Sequence, residues 1–230
     1  MKGSTKRTRA NKQKIKERLY HQNEAITLVK EISNANFTES IEAHISLWIN
    51  PKYSDQQLRS TLILPHNVGK SKRIAILMPA SSISTEYEEL ADIVGSDDLI
   101  EQIEQGQVNF DVLISTPDMM PKLVKLGRIL GPKNLMPSPK AGTVTTNIKL
   151  TLEEFKAGKI EYRTDKTGIV HLVLGKSTFT VSQLLENLNA VYLSLNNSKP
   201  SGVKGRYFKS FHICSTMSPS IKIDISTLKG

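Results

Sequence analysis

Residues 126–144 read LGRILGPKNLMPSPKAGTV. The stretch holds no acid, while Arg128, Lys133 and Lys140 are basic, so something negative is its expected neighbour. Gly127, Gly131 and Gly142 supply backbone freedom, and Pro132, Pro137 and Pro139 fix φ and remove N–H donors. Neither a helix nor a central strand is expected to run through it. Leu130, Leu135 and Met136 anchor it on an apolar support, as in a shaped recognition loop; an ordinary basic connector is the competing reading.

The segments on either side set the fold class. Upstream, from Arg73, strand and helix alternate: Ile74 to Met78 strand, Thr85 to Val94 helix, Asp97 to Gln105 helix, Phe110 to Ser115 strand, then a helix through Leu126 capped by Thr116. Short apolar runs between helices predict parallel strands covered on both faces, a small three-layer α/β domain. Downstream comes a short helix with Thr151 as its N-cap, followed by Glu153 and Glu154. Lys159 to Arg163 and Ile169 to Leu174 read as a hairpin around the polar turn TDKTG at 164–168. A helix over Ser182 to Ser198 buries Leu184, Leu185, Leu188, Val191, Tyr192 and Leu195, and strands over Tyr207 to Cys214 and Ile221 to Ile225 close the chain.

Before the α/β block, a helix is expected from Asn11, with Ile15, Leu19, Ile26, Val29 and Ile32 on one face. Ile41, Ala43, Ile45, Leu47 and Ile49 then alternate with Glu42, His44, Ser46 and Trp48, the pattern of a half-buried strand. Phe37 at its mouth is either a core cap or a ring presented to a ribose. Leu58 to Pro65 is a second strand, and HNVGKSK at 66–72 is a domain crossing. The simplest arrangement pairs strands before Pro65 with strands after Gly158. The expected fold is thus α+β and α/β in two domains, a split α+β domain (1–66 and 160–230) with the α/β domain (67–159) inserted into it through a double-stranded hinge.

Composition narrows the function. The 230 residues carry 31 Lys and Arg against 22 Asp and Glu, a net charge of +9, which points to a polyanion such as nucleic acid. Residues 1–18 hold eight basic residues and one acid, Glu17, so this arm carries most of that surplus and reads as a phosphate-seeking tail. No apolar run reaches the roughly 18 residues of a membrane span, and no membrane partner is expected. The start reads as mature protein, without a secretory signal. The lone Cys214 excludes an internal disulfide, and no metal-ligand spacing is present.

Gly69-Lys70-Ser71 resembles the tail of a phosphate-binding P-loop, but the required glycine five positions earlier is Leu64, and Pro65 removes another donor. PASSIS at 79–84 lacks the spaced glycines of a dinucleotide site, so no cofactor is implied. An enzyme holding a phosphorylated substrate on Lys133 or Lys140 is the rival class. His21, His44, His66, His171 and His212 are scattered over different elements, and no nucleophile with its base can be assigned.

LGRILGPKNLMPSPKAGTV resembles the signature of the family of ribosomal large-subunit protein one, the stalk proteins. DQQLRSTLILPHNVGK at 55–70, YRTDKTGIVH at 162–171 and KSFHICSTMSPSIKID at 209–224 resemble further family segments in the right order. The resemblance implies a noncatalytic constituent of the large ribosomal subunit. It would grip folded large-subunit ribosomal RNA in the mobile stalk, beside the site from which deacylated tRNA leaves. Bacterial members also bind and repress their own messenger RNA.

The resemblance implies RNA contacts at Phe37, Ser40 and Glu42, at Asp165, Lys166, Gly168 and His171, and at Ser215, Thr216, Met217 and Ser218. In the signature loop it marks Gly127, Gly131, Lys133, Met136, Pro137, Pro139, Lys140 and Gly142. Short hydroxyls, backbone amides and a carboxylate suit ribose hydroxyls and phosphates. The competing structural reading is that Asp165 and Thr216 satisfy turn N–H groups and Met217 is core. Ser218 replaces the family's usual glycine, and Ser40 its usual threonine. If positive φ or close backbone approach is needed, Ser218 costs affinity; in an ordinary turn it supplies a hydrogen bond instead. KPSGVKGRYFKSFHICSTM looks most like plastid-encoded relatives and predicts a chloroplast ribosome, with bacterial cytoplasm as the alternative.

Overall fold

The computed structural model describes all residues except 1–4, 54, 69–71, 83–86, 88–89 and 229–230. The Gly69-Lys70-Ser71 tripeptide and residues 85, 86, 88 and 89 of the helix expected at Thr85 to Val94 lie outside the described residues. The chain divides into two compact units, one of Met1–Val68 with Glu161–Gly230, the other of Gly69–Ile160.

The first unit is built on a four-stranded antiparallel sheet in the order β7-β1-β8-β9, where β1 is Ser40–Leu47, β7 Ile169–Lys176, β8 Phe208–Ser215 and β9 Ile221–Ile223. Alternation decides its faces: Ile41, Ala43, Ile45 and Leu47 of β1 are buried, as are Val170, Leu172, Leu174, Phe211, Ile213, Ile221 and Ile223. Helices α2 (Gln22–Ile32) and α7 (Val181–Asn197) pack against the sheet through Ala25, Ile26, Val29 and Ile32 and through Leu184, Leu188, Val191 and Leu195. Thr180 and Gln183 form a reciprocal capping box that starts α7. Gly175 lets α7 approach β7, because a Cβ there would lie 2.5 Å from Leu184 Cδ2. Buried Asn187 on α7 accepts from His66 N–H at 3.0 Å and donates to Leu174 O at 2.7 Å, fixing the strand exit. A separate two-stranded sheet joins β2 (Arg59–Ile63) to β6 (Lys159–Arg163).

In the second unit, β3 (Ile74–Leu77) lies between β4 (Ile93–Gly95) and β5 (Val112–Ser115), all parallel. Ala75 and Leu77 pack with α3 (Asp97–Glu104), α4 (Met120–Lys125) and α5 (Gly127–Leu130). Ile74, Ile76 and Met78 pack on the other face, with α6 (Ile148–Lys156). Mixed helix and sheet with both faces of this sheet covered agrees with the expected fold class.

Several local expectations need correction. The first helix begins earlier: α1 spans Lys6–Lys14, capped by Thr5, and ends at Ile15. It cannot continue, because Tyr20 forms an extended bridge with Ile223 and its hydroxyl accepts from Lys16 N–H at 2.7 Å. Within the basic arm Asn11 is buried and donates to Ile32 O at 3.0 Å. Ile93 and Val94 belong to strand β4, so no helix runs through them. Thr116 makes no side-chain cap; a 3-10 turn at Pro117–Met119 precedes α4. Thr151 lies inside α6, where its hydroxyl donates to Asn147 O at 3.1 Å, and Asn147 is the N-cap position. β6 and β7 belong to different sheets, with an isolated Thr164–Val170 bridge where the chain turns between them.

The 126–144 stretch is partly helical, since Gly127–Leu130 forms one turn and Pro139–Ala141 a 3-10 turn. Leu126, Leu130 and Ala141 are buried, with Leu135 and Met136 packed beside them. Gly131 permits a close approach that a Cβ, 2.5 Å from Gly127 O, would prevent, and Gly142 has φ +63°. Thr143 Oγ1 accepts from Ser138 N–H at 2.8 Å and closes the loop. Val144 then pairs with Ser115.

Candidate nucleic-acid interface

The helix-free face of the four-stranded sheet is polar. Register places its outward residues in rows: Lys176 beside Ser40; Val173, Glu42 and Cys214; His171, His44, His212 and Lys222; Ile169, Ser46 and Ser210. The sequence-derived contact residues fall into three places around this face. Phe37, Ser40, Thr216, Met217 and Ser218 gather at the start of β1, Glu42 and His171 lie on the face, and Asp165, Lys166 and Gly168 stand at the end of β1. Seven residues of extended strand separate the two ends, about 23 Å. The signature-loop residues belong to the second unit. There Lys133, Pro139 and Lys140 are exposed, Gly127, Met136 and Gly142 are half-buried, and Pro137 is buried.

Glu39, which sequence reasoning missed, organises the first end. Its buried carboxylate accepts from Ala35 N–H at 2.9 Å, Met217 N–H at 3.0 Å and the Ser215 hydroxyl at 2.7 Å. The loop carrying Phe37 and the turn carrying Met217 are thereby tied to one side chain. Both apolar tips stay in water, Phe37 at 55% and Met217 at 49% exposure. Burial pulls the Glu39 carboxyl upward, but the Ser215 hydroxyl and the two backbone N–H groups outweigh it and hold it below the usual glutamate value. Its signal in the sequence is parity: 39 shares the inward register of 41, 43 and 45.

Ser215 also has inward parity. It is 1% exposed and committed to Glu39, so it supports the turn and offers no hydroxyl to a ligand. Thr216 crosses to β1, its hydroxyl accepting from Ser40 N–H at 3.1 Å. Ser40 Oγ accepts from Lys176 Nζ at 2.8 Å. Ser218 does not have positive φ, and its hydroxyl accepts from Ser215 N–H at 2.9 Å. It therefore supplies a turn hydrogen bond and relieves no backbone strain. Met217 is not core.

At the other end, the Asp165 carboxylate accepts from Thr167 N–H and Ile169 N–H, each at 2.8 Å. Burial raises its pKa, but the Ile169 and Thr167 hydrogen bonds and His171 bring it below the usual aspartate value. Asp165 thus caps its own turn. Gly168 is buried with φ +81°, and its carbonyl accepts from Leu47 N–H at 3.0 Å. Lys166 remains exposed. Beside this turn runs an open groove of about 850 Å³ whose lining includes Arg59, Arg163, Lys166 and His171.

The histidines are less scattered than the sequence suggested. His44 Nδ1 and His171 Nδ1 share a hydrogen bond at 2.8 Å, and His44 Nε2 lies 3.3 Å from Cys214 Sγ. Asp165 Oδ2 is 3.7 Å from His171 Nε2. This string does not activate a thiol, because burial and the nearby Glu42 push Cys214 up, away from thiolate. Burial, then His171, lowers the His44 imidazole, with Glu42 offsetting part of the shift. His212 is lowered by burial, then by Lys222 and His44. Among the described residues no group of three or more His, Cys, Asp or Glu has metal-holding geometry.

The first unit thus presents a solvent-facing sheet face with polar rows, bordered by hydrogen-bonded turns, in a protein of mixed α/β build. The profile of the Ribosomal protein L1p/L10e family matches residues 29–219, and the chain belongs to that family. It is 56% identical over 227 residues to the large ribosomal subunit protein uL1c of Trieres chinensis, covering 98% of this chain and 99% of the relative. It is 55% identical over 216 residues to uL1c of Rhodomonas salina, covering 94% and 92%. It is 52% identical over 229 residues to uL1 of Prochlorococcus marinus (strain MIT 9215), covering 100% and 97%. The similarity thus spans the plastid and cyanobacterial branches, in agreement with a chloroplast ribosomal protein, and these relatives are named as ribosomal proteins, not enzymes.

Proposed function

We propose that the chain is a noncatalytic constituent of the large subunit of chloroplast ribosomes, where its first unit binds large-subunit ribosomal RNA at the mobile stalk. The observation that carries this reading is the polar sheet face with Phe37 and Met217 held exposed by one buried carboxylate. Half-exposed apolar tips fixed beside Thr216 and backbone amides fit ribose edges and phosphates, which long basic chains alone would grip without register. The net charge of +9 adds salt-sensitive attraction. Exposed Arg128, Lys133 and Lys140 of the second unit offer a surface for deacylated tRNA leaving the ribosome. A messenger RNA bearing the same folded shape would compete for the sheet face, which is how the chain would repress its own translation.

Exchange of Met217 or Phe37 for alanine tests the contact surface. Each is expected to weaken binding to a stalk RNA fragment by roughly 1 to 3 kcal/mol without lowering thermal stability. Wild-type affinity in both variants would remove this surface from the account.

A further inference from the structure

The solvent face continues past the contacts assigned above. In β1 the outward positions are Ser40, Glu42, His44 and Ser46, and the next in that alternation is Trp48, the chain's one tryptophan. Its indole is 55% exposed. A ring of that size left half in water forgoes burial that most tryptophans obtain.

The backbone holds Trp48 in place. Its N–H donates to Tyr207 O at 2.8 Å, and the preceding Leu47 N–H donates to Gly168 O at 3.0 Å. The residue therefore stands between the 165–168 turn and the start of β8. Its surroundings are cationic. Lys209 Nζ lies over one face of the ring, 4.9 Å from its centroid, and would have to leave that face, or the opposite face be used, for a base to stack; Lys166, Lys204 and Arg206 are exposed on the two flanking segments.

We propose that Trp48 is a stacking platform for an unpaired base of the bound RNA, with Lys209 and its basic neighbours taking the flanking phosphates. The inference rests on the RNA-binding reading and extends it. An aromatic face accepts any base, and a cation beside it neutralises the backbone that delivers the base. Eight residues of extended strand separate Trp48 from Ser40, about 26 Å, so this base lies far from the nucleotides touched by Thr216 and Met217. A protein partner for the same ring is the competing occupant.

A single tryptophan makes the test direct. The full chain is titrated with a stalk-region RNA fragment while indole emission and its quenching by acrylamide are followed. Stacking predicts that emission is quenched at saturation and that the ring is shielded from acrylamide. Trp48→Ala is expected to weaken binding roughly 5- to 100-fold, and Trp48→Phe to stay within about threefold of wild type. Unchanged emission at saturation, with Trp48→Ala binding as well as wild type while Met217→Ala binds weakly, would overturn the platform and leave the RNA reading intact. If the unaltered chain bound no stalk RNA, both would fall.

Discussion

Replacing Glu39 with glutamine keeps the side-chain volume but removes the charge to which Ala35 N–H, Met217 N–H and the Ser215 hydroxyl donate. Unfolding in urea is expected to show a loss of about 1 to 3 kcal/mol, the range for hydrogen bonds to a buried charged group. The Glu39 carboxyl lies below its ordinary value. Its contribution is therefore complete above the unfolded glutamate pKa, about 4.3, and is lost as pH falls through the folded value. Glu39→Gln should accordingly lose less stability on acidification than wild type, and an unchanged acid limb would contradict the role assigned to Glu39. Ser218→Gly removes the acceptor for Ser215 N–H and should cost about 0.5 to 1.5 kcal/mol. RNA affinity should stay within about twofold, because the hydroxyl is turned into its own turn; a tenfold gain would mean that the side chain obstructs the RNA.

Across the sheet, His171, His44, His212 and Lys222 stand in one row, bordered by Asp165, Glu42 and Cys214. The His44 and His212 imidazoles lie below their ordinary value, so the folded sheet binds fewer protons than the unfolded chain. Stability present above the ordinary imidazole pKa, about 6.5, is lost as pH falls through that value towards the lower folded ones. The thermal midpoint should drop between pH 7.5 and 5.5, and His44→Gln with His212→Gln should flatten that drop. An equal drop in the double variant would exclude the row as its source. The strands themselves were legible: alternation in residues 41–49 and the inward parity of Glu39 and Ser215 are visible in the sequence. The row was not, because outward positions meet only when register is known. The β6–β7 hairpin was misread for the same reason, since a turn such as TDKTG shows where the chain reverses but not which sheet each arm joins. Thr151 misled because a hydroxyl that caps a helix can equally donate to the carbonyl four residues back inside one.

For the whole molecule, the change of rhythm at Arg73 and its return near Lys159 fall close to the bounds, Gly69 and Ile160, of the second compact unit. All the proposed RNA contacts outside the signature loop lie in Met1–Val68 and Glu161–Gly230. Replacing Gly69–Ile160 by a short glycine-serine linker should leave stalk RNA affinity within about threefold, provided circular dichroism shows the remainder folded. A loss beyond tenfold would assign part of the interface to the second unit. On the proposed function, a shaped sheet face, and not the basic arm alone, recognises folded RNA. The most direct test is titration of the full chain against a stalk-region RNA fragment and a scrambled hairpin of equal length at two salt concentrations. A preference for the stalk fragment that persists at high salt is expected. Equal affinities that collapse together with salt would mean that only unshaped charge is binding, and would contradict the proposed function.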